Sequence, residues 1–283
     1  MKSSVHMKTV ALPSGEAVPA LGLGTWHMGE NPANTAEEIS CIQMAIDLGA
    51  SLIDTAEVYG NGKAETLVGK AIEGRRDDVF LVTKAYPDHA SLEGMPIACE
   101  RSLERLNTDW IDLYLLHWRG SIPLEETVQA FTELQEAGTI RHFGVSNFDL
   151  DDMQELWSIP GGSDVATDQV LYNLSRRGIE WDLLPWLRKR HVPVMAYSPI
   201  EQARLVRNPK LIRFAQQIGR TAVQVALAWL LAKDDVIAIP KTSNPERLKE
   251  NLGALDHPLN KEQLAELDRL FPPPDGPRPL EMI

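Results

Sequence analysis

Short apolar runs alternate with helix-like segments along most of this chain. Eight runs rich in Val, Ile and Leu are each followed by a longer amphipathic segment; four of them are ALGLGT, SLIDTA, VFLVTKA and IDLYLLHW. Runs that are apolar on successive residues are typical of strands buried on both faces of a parallel sheet. Eight strand–helix units within 283 residues predict an α/β protein, a closed (β/α)8 TIM barrel.

An open, doubly wound sheet is the alternative fold. That fold would place a G-x-G-x-x-G motif between its first strand and helix, and no strand here is followed by that spacing. The turn PSGE between KTVAL and AVPALG predicts an N-terminal β-hairpin, and NKEQLAELDRLF predicts an extra C-terminal helix. We expect one domain over residues 1–283, with a flexible extension at 1–7 and a Pro-rich surface tail at 272–283.

The first predicted helix has clear boundary signals. Thr35 with Glu38 three residues later has the spacing of a capping box, and Gly49 follows the last residue of the apolar stripe. We therefore expect Thr35 to cap the helix through its side chain and Gly49 to end it.

The net charge of −12 argues against binding to nucleic acid or to anionic membranes. Cys41 and Cys99 are isolated and form no C-x-x-C motif, so we expect two reduced, buried thiols in a cytoplasmic protein. The N-terminal residues lack the apolar stretch of a secretory signal, and no run approaches the ~18 apolar residues of a membrane span.

Polar and aromatic side chains follow most of the predicted strands. They are Asp54 with Tyr59, Lys84, His117 with Trp118, Ser146 with Asn147, Gln169, Tyr197 with Ser198, and Lys241 with Thr242. In a parallel barrel the carboxyl ends of all strands meet at one mouth, where active sites lie. We therefore expect these side chains to surround a common site.

Four of these residues suit acid–base chemistry on a carbonyl group. A phenol has an ordinary pKa of about 10, and a neighbouring ammonium lowers that pKa. Tyr59 would then donate a proton to a carbonyl oxygen, with Lys84 lowering its pKa and Asp54 holding Lys84. His117 would hydrogen-bond and orient the carbonyl. Each residue alone also fits a structural role, and Lys84 alone fits a Schiff-base nucleophile.

The sequence resembles the aldo-keto reductases over essentially its whole length. The motifs that carry the resemblance occur in the family's order: LIDTAEVYGN, VFLVTK, YLLHW, GVSNF, AYSP and IPK. The resemblance implies that Asp54, Tyr59, Lys84 and His117 form the family's catalytic tetrad. It also implies reduction of aldehydes or ketones with NADPH, no metal, and a monomer.

The resemblance further implies a set of cofactor contacts. They would be Gly24, Thr25, Asp54, Ser146, Asn147, Gln169, Tyr197, Ser198, Pro199, Ile200, Lys241, Thr242, Arg247, Glu250 and Asn251. The cations Lys241 and Arg247 suit a 2′-phosphate, and a helix starting near Pro245 would offer its N-terminus to an anion. We therefore expect NADPH rather than NADH.

Aromatic residues are expected to line the substrate pocket. The family's pocket would fall on Trp26, Tyr59, Tyr86, His117 and Trp118. The loop SPIEQARLVRNP after the seventh strand is shorter than in many members, and the C-terminal tail is also short. We therefore expect small substrates: small aldehydes, α-dicarbonyls such as methylglyoxal, or keto-sugars. The alternative is an NADPH-binding regulatory protein with little turnover.

Overall fold

The computed structural model describes residues 7–283, and it begins with the predicted hairpin. Strands β1 (Thr9–Ala11) and β2 (Ala17–Pro19) pair in antiparallel register, with Val10 opposite Val18. Glu16, in the turn, accepts a 2.7 Å hydrogen bond from His142 near the start of the fifth barrel strand. The hairpin therefore lies at the amino-terminal end of the barrel strands, away from the mouth. Of the expected flexible extension, residues 1–6 lie outside the described part, and Met7 packs against the core.

Eight parallel strands follow, each paired with its neighbours in chain order. They are β3 (Leu23–Gly24), β4 (Leu52–Asp54), β5 (Phe80–Ala85), β6 (Ile111–Leu116), β7 (Ile140–Ser146), β8 (Asp168–Leu171), β9 (Val194–Tyr197) and β10 (Val236–Ala238). Parallel bridges pair Leu21 with Ala238 and Gly24 with Lys241, which brings the first and last strands together. The predicted closed barrel is confirmed, and the open-sheet alternative does not apply.

Helices surround this barrel. Those of the described residues are α1 (Thr35–Asp47), α2 (Lys63–Ala71), α3 (Gly94–Leu106), α4 (Leu124–Glu136), α5 (Leu150–Ser158), α6 (Leu183–Lys189), α7 (Pro209–Gln217), α8 (Ala222–Leu231), α9 (Pro245–Leu252) and α10 (Lys261–Leu270). Most bury one stripe against the sheet; α4, for example, buries Leu124, Val128 and Phe131. Both cysteines are free and buried, as expected.

The start of α1 differs from its prediction. Thr35 is the first helical residue and Asn34 precedes it without a side-chain cap. The Glu38 carboxylate instead accepts a 2.9 Å hydrogen bond from the backbone N–H of Gly29. The capping-box prediction was therefore wrong, because a loop from outside the helix uses the carboxylate. The predicted end is confirmed: α1 stops at Asp47, and Gly49 adopts φ 92°.

The tail after α10 has no regular secondary structure, but parts of it contact the barrel. Leu280 packs against the core, and Glu281 forms an ion pair with Arg176 in the loop after β8. The tail thus returns to the carboxyl ends of the strands. From residue 7 onward, the chain contains no helix with the length and apolar character needed to span a membrane.

Candidate active site

The mouth of the barrel brings the four predicted catalytic residues together. Asp54 ends β4, Lys84 lies near the end of β5, and His117 directly follows β6. The Lys84 ammonium donates to both Asp54 carboxylate oxygens at 2.8 Å and to the Thr55 carbonyl at 2.9 Å. It also lies 3.4 Å from the Tyr59 hydroxyl. Lys84 therefore connects the carboxylate to the phenol, as the sequence predicted.

Lys84 carries its charge in a fully buried position, with 0% of the residue exposed. Burial is the largest single effect and lowers the pKa of Lys84, but the charges and hydrogen bonds of Asp54 and Tyr59 together outweigh it and raise the pKa above its ordinary value. A buried charge is tolerated when it is paired and hydrogen-bonded, and here three oxygens accept at 2.9 Å or less. The lysine is consequently a permanent cation next to Tyr59.

The electrostatic state of Tyr59 differs from the expectation. Burial raises the pKa of Tyr59, and the neighbouring Lys84 lowers it by a smaller amount, so the pKa stays above the ordinary value of 10.0. The predicted net lowering was wrong, although the contribution of Lys84 has the predicted sign. Tyr59 therefore holds its proton at neutral pH, which is the state a proton donor needs.

His117 is held as a neutral imidazole. Burial, and to a smaller extent the charge of Lys84, lower the pKa of His117 from 6.5 to about 3. Its ring lies edge-on to that of Tyr59, with 5.8 Å between the ring centroids. Within residues 7–283, the buried Nδ1 atom has no hydrogen-bond partner. A neutral ring beside a phenol can hydrogen-bond a substrate oxygen without competing for its proton.

A second polar cluster, on β7 to β9, adjoins the tetrad. The Tyr197 hydroxyl donates to Asn147 Oδ1 at 2.9 Å, and the Ser146 hydroxyl donates to the Gln169 carbonyl at 2.7 Å. The Gln169 amide donates to Asp54 Oδ1 at 2.8 Å, which leaves its side-chain oxygen as the atom it can offer to a ligand. The Gln169–Asp54 contact, which sequence reasoning missed, joins the two clusters.

Gly24 and Thr25 lie where β3 meets β10. A Cβ atom on Gly24 would approach the Ile239 carbonyl to 3.1 Å, so a side chain here would crowd the strand junction. The Thr25 hydroxyl donates to the backbone carbonyl of Asp54 at 2.9 Å. After β9, Ser198 adopts φ 46° and its carbonyl accepts a 3.0 Å hydrogen bond from Asn173. Pro199 is buried and Ile200 is partly buried next to it.

The predicted residues for the adenosine end follow β10. Thr242 and Asn251 are buried, Glu250 is partly buried, and Lys241 and Arg247 are exposed. Neither Lys241 nor Arg247 forms an ion pair within residues 7–283. Glu246 pairs instead with Lys249 at 2.9 Å. Both cations therefore remain available to an anion.

The N-terminus of α9 does not offer all its amides, contrary to the expectation. The Asn244 side chain accepts hydrogen bonds from the backbone N–H groups of Glu246 and Arg247, each at 3.0 Å. A side-chain cap satisfies the same donors that an anion would use. Binding of a phosphate here would therefore depend on side chains rather than on these two amides.

Two of the expected pocket aromatics, Trp118 and Tyr86, lie close to His117 of the tetrad or to its neighbour. Trp118 contacts His117 with 4.8 Å between ring centroids, and Tyr86 meets Trp118 edge-on at 5.1 Å. Trp26 remains 42% exposed.

Sequence reasoning missed Glu57, whose carboxylate accepts a 2.5 Å hydrogen bond from the backbone N–H of Tyr86. Its position between Asp54 and Tyr59 in the same motif was the available signal.

A parallel barrel with Asp, Tyr, Lys and His joined at its mouth defines a class of carbonyl oxidoreductases, and comparison with known sequences agrees. The sequence model described as the aldo/keto reductase family matches residues 20–271. Because the match covers most of the chain, this protein belongs to the aldo/keto reductase family.

Individual relatives are similar over nearly their whole length. YeaE, a methylglyoxal reductase of Escherichia coli (strain K12), is 46% identical over 284 residues, covering 99% of this chain and 100% of the relative. A crystal structure of an aldo/keto reductase from Klebsiella pneumoniae in complex with NADP and acetate is 50% identical, with a TM-score of 0.95, covering 98% of this chain and 100% of the other. A second Klebsiella pneumoniae structure, in complex with NADPH, has the same identity and TM-score and covers 98% and 99%.

Proposed function

We propose that this protein reduces small aldehydes and ketones to alcohols with NADPH. The observation that carries the proposal is the contact chain at the barrel mouth, in which Asp54 holds the buried Lys84 and Lys84 approaches the Tyr59 hydroxyl at 3.4 Å. The complexes of the similar Klebsiella pneumoniae proteins with NADP and NADPH support the choice of cofactor.

Bound NADPH would supply the hydride to the carbonyl carbon. Tyr59 would donate its proton to the carbonyl oxygen, so the phenol O–H bond breaks as the alcohol O–H bond forms. The resulting phenolate is stabilised by the ammonium of Lys84, and Asp54 keeps that ammonium in place. His117, neutral at working pH, would hydrogen-bond the same oxygen and orient the carbonyl.

The residues at the mouth have the chemistry that a dinucleotide requires. Gln169, Asn147 and Ser146 would hold the carboxamide of the nicotinamide, and Tyr197 would stack on its ring. The backbone at Gly24, Thr25 and 198–200 would lie along the pyrophosphate. At the other end, Thr242, Glu250 and Asn251 would hold the adenosine.

Lys241 and Arg247 would bind the 2′-phosphate that distinguishes NADPH from NADH. Both are exposed cations without an ion-pair partner in the described part of the chain. Arg can bind a phosphate through two parallel N–H groups, which makes it the stronger determinant of the two.

We further propose that the substrates are small α-dicarbonyls such as methylglyoxal. The 46% identity to a methylglyoxal reductase supports this class. The pocket would be formed by Trp26, Tyr86 and Trp118 with the tetrad, and its aromatic walls leave few polar groups for a large polyhydroxylated substrate. Simple aldehydes and keto-sugars are the competing classes.

The test follows NADPH consumption at 340 nm with methylglyoxal, glyceraldehyde, aromatic aldehydes and keto-sugars, and repeats each assay with NADH. We expect the highest kcat/KM with methylglyoxal and NADPH. Faster turnover of another carbonyl class would correct the substrate. Tight NADPH binding without consumption of any carbonyl would overturn the reductase proposal in favour of a regulatory role.

A further inference from the structure

The loop after β9, residues 198–203, has an unusual backbone. Ser198, Glu201, Gln202 and Ala203 adopt positive φ angles of 46°, 54°, 49° and 67°. Positive φ is uncommon for residues other than Gly and persists only where surrounding contacts impose it. This 198–203 loop carries the proposed pyrophosphate contacts, so the groups that impose its shape bear on cofactor binding.

Glu201 is the anchor of the 198–203 loop. Its side chain is only 6% exposed, although it lies in a loop. Asn173 donates to Glu201 Oε2 at 2.8 Å, and Arg176 donates to Oε1 through two nitrogens at 2.8 and 2.9 Å. Burial is the largest single effect and raises the pKa of Glu201, but the hydrogen bonds from Arg176 and Asn173 and the charges of Arg176 and Arg204 together outweigh it and lower the pKa, so the anchor is ionised.

Arg176 also binds the C-terminal tail. Its remaining terminal nitrogen, Nη1, donates to the Glu281 carboxylate. The guanidinium therefore lies between two carboxylates, one on the 198–203 loop and one on the tail. Two residues beyond Glu281, the backbone of Ile283 lies near the Tyr197 side chain.

A cavity of about 880 Å³ separates the start of the tail from the barrel loops. Residues 271–275 border it on the tail side, and Leu174, Asn208 and Lys210 are among the residues that border it on the barrel side. Further along the tail, the Arg176–Glu281 ion pair connects the tail to the loop after β8.

We propose that Arg176 is a positioning residue that ties the 198–203 loop to the tail, and that its bond to Glu281 slows the release of NADPH. The inference rests on the proposed function, because it needs the dinucleotide to lie under this loop. While Arg176 holds both carboxylates, the loop cannot move outward without the tail. Cutting the tail contact lets Arg176 and the 198–203 loop move together without the tail, while the contacts of Glu201 with Arg176 and Asn173 stay in place.

The test measures NADPH release by stopped flow. NADPH-loaded protein is mixed with excess NADP+, and the fall in NADPH fluorescence is followed. Glu281→Gln should speed release roughly two- to fivefold, the range that a partly exposed ion pair supports. Asp275→Asn is the matched control, because it removes a tail carboxylate whose ion-pair partner among residues 7–283 is Arg278, also in the tail. It should release NADPH at the wild-type rate.

Two further measurements distinguish a specific tether from a general destabilisation of the tail. Arg176→Ala should release NADPH faster than Glu281→Gln, and adding Glu281→Gln to Arg176→Ala should change nothing more. High salt screens exposed charges, so the ratio between Glu281→Gln and wild type should approach one near 1 M salt. Equal release rates for Glu281→Gln, Asp275→Asn and wild type would overturn the tether. Absence of NADPH binding by the wild type would instead overturn the proposed function beneath it.

Discussion

Replacing Lys84 by Met tests the centre of the proposed active site. The methionine side chain fills similar space but removes the cation that three oxygens contact at 2.8 to 2.9 Å. Asp54, 2% exposed, would lose its counter-ion. Removing one partner of a buried ion pair costs about 3–5 kcal/mol, because the other charge stays buried and uncompensated. We expect this loss in the free energy of unfolding.

Urea unfolding followed by circular dichroism measures the loss, and the double variant Asp54→Asn/Lys84→Met is its control. The asparagine carries no charge, and its side-chain oxygen can still accept the hydrogen bond from Gln169. The double variant should therefore recover most of the lost stability but none of the activity. A single variant as stable as wild type, or a double variant as unstable as the single one, would refute the reasoning.

The stability loss caused by Lys84→Met should depend on pH in a defined way. The pKa of Lys84 in the folded protein is raised, so its contribution is complete below the ordinary lysine value of about 10.4 and is lost only as the pH rises through the folded pKa. The stability difference from wild type should thus be flat from roughly pH 6 to 9. The pKa of Tyr59 should rise further without Lys84, so alcohol oxidation with NADP+ should need a higher pH than in wild type.

Other residues give separate outcomes. Tyr59→Phe should lower kcat about 10²- to 10⁴-fold with little change in the Kd for NADPH by fluorescence quenching; near-wild-type turnover would remove Tyr59 as the proton donor. Arg247→Ala should raise the Kd for NADPH about tenfold more than the Kd for NADH, as expected for the loss of a charged hydrogen bond. The control variant Lys249→Ala should change the two Kd values alike. Equal effects of Arg247→Ala on both cofactors would exclude its contact with the 2′-phosphate. Because the pKa of His117 falls from 6.5 to about 3 on folding, the free energy of unfolding should decline as the pH falls across that interval. In urea titrations, His117→Gln should show a shallower decline than wild type. The same decline in the variant and in wild type would contradict this account.

The barrel and the positions of the catalytic side chains could be predicted from the sequence because both depend on short stretches of neighbouring residues. Strands buried on both faces are apolar at most successive residues, and several of these strands have a polar residue at or just after their end. Asp54 at the end of SLID and His117 after YLL are examples. Because parallel strands share one orientation, these ends meet at one mouth.

Two helix starts differ from the sequence prediction for different reasons. Thr35 and Glu38 have capping-box spacing, yet the backbone N–H of Gly29, nine residues before Glu38, bonds to the carboxylate. That partner lies outside the motif, so the motif carries no information about it. At α9 the competing group is local: Asn244, directly before Pro245, caps the amides of Glu246 and Arg247 that an anion was expected to use. The signal for this cap was present in the sequence and was missed.

The sequence by itself determined the order of strands and helices, the closed barrel they form, and the four side chains that face its mouth. The tertiary structure decided the electrostatic state of those side chains, because burial reverses the expected direction of the Tyr59 pKa while the paired Lys84 stays charged. It also decided which distant groups meet, such as Arg176 between Glu201 and Glu281. Residue spacing determines periodicity and strand ends, whereas desolvation and long-range pairing arise only when the chain is packed in three dimensions.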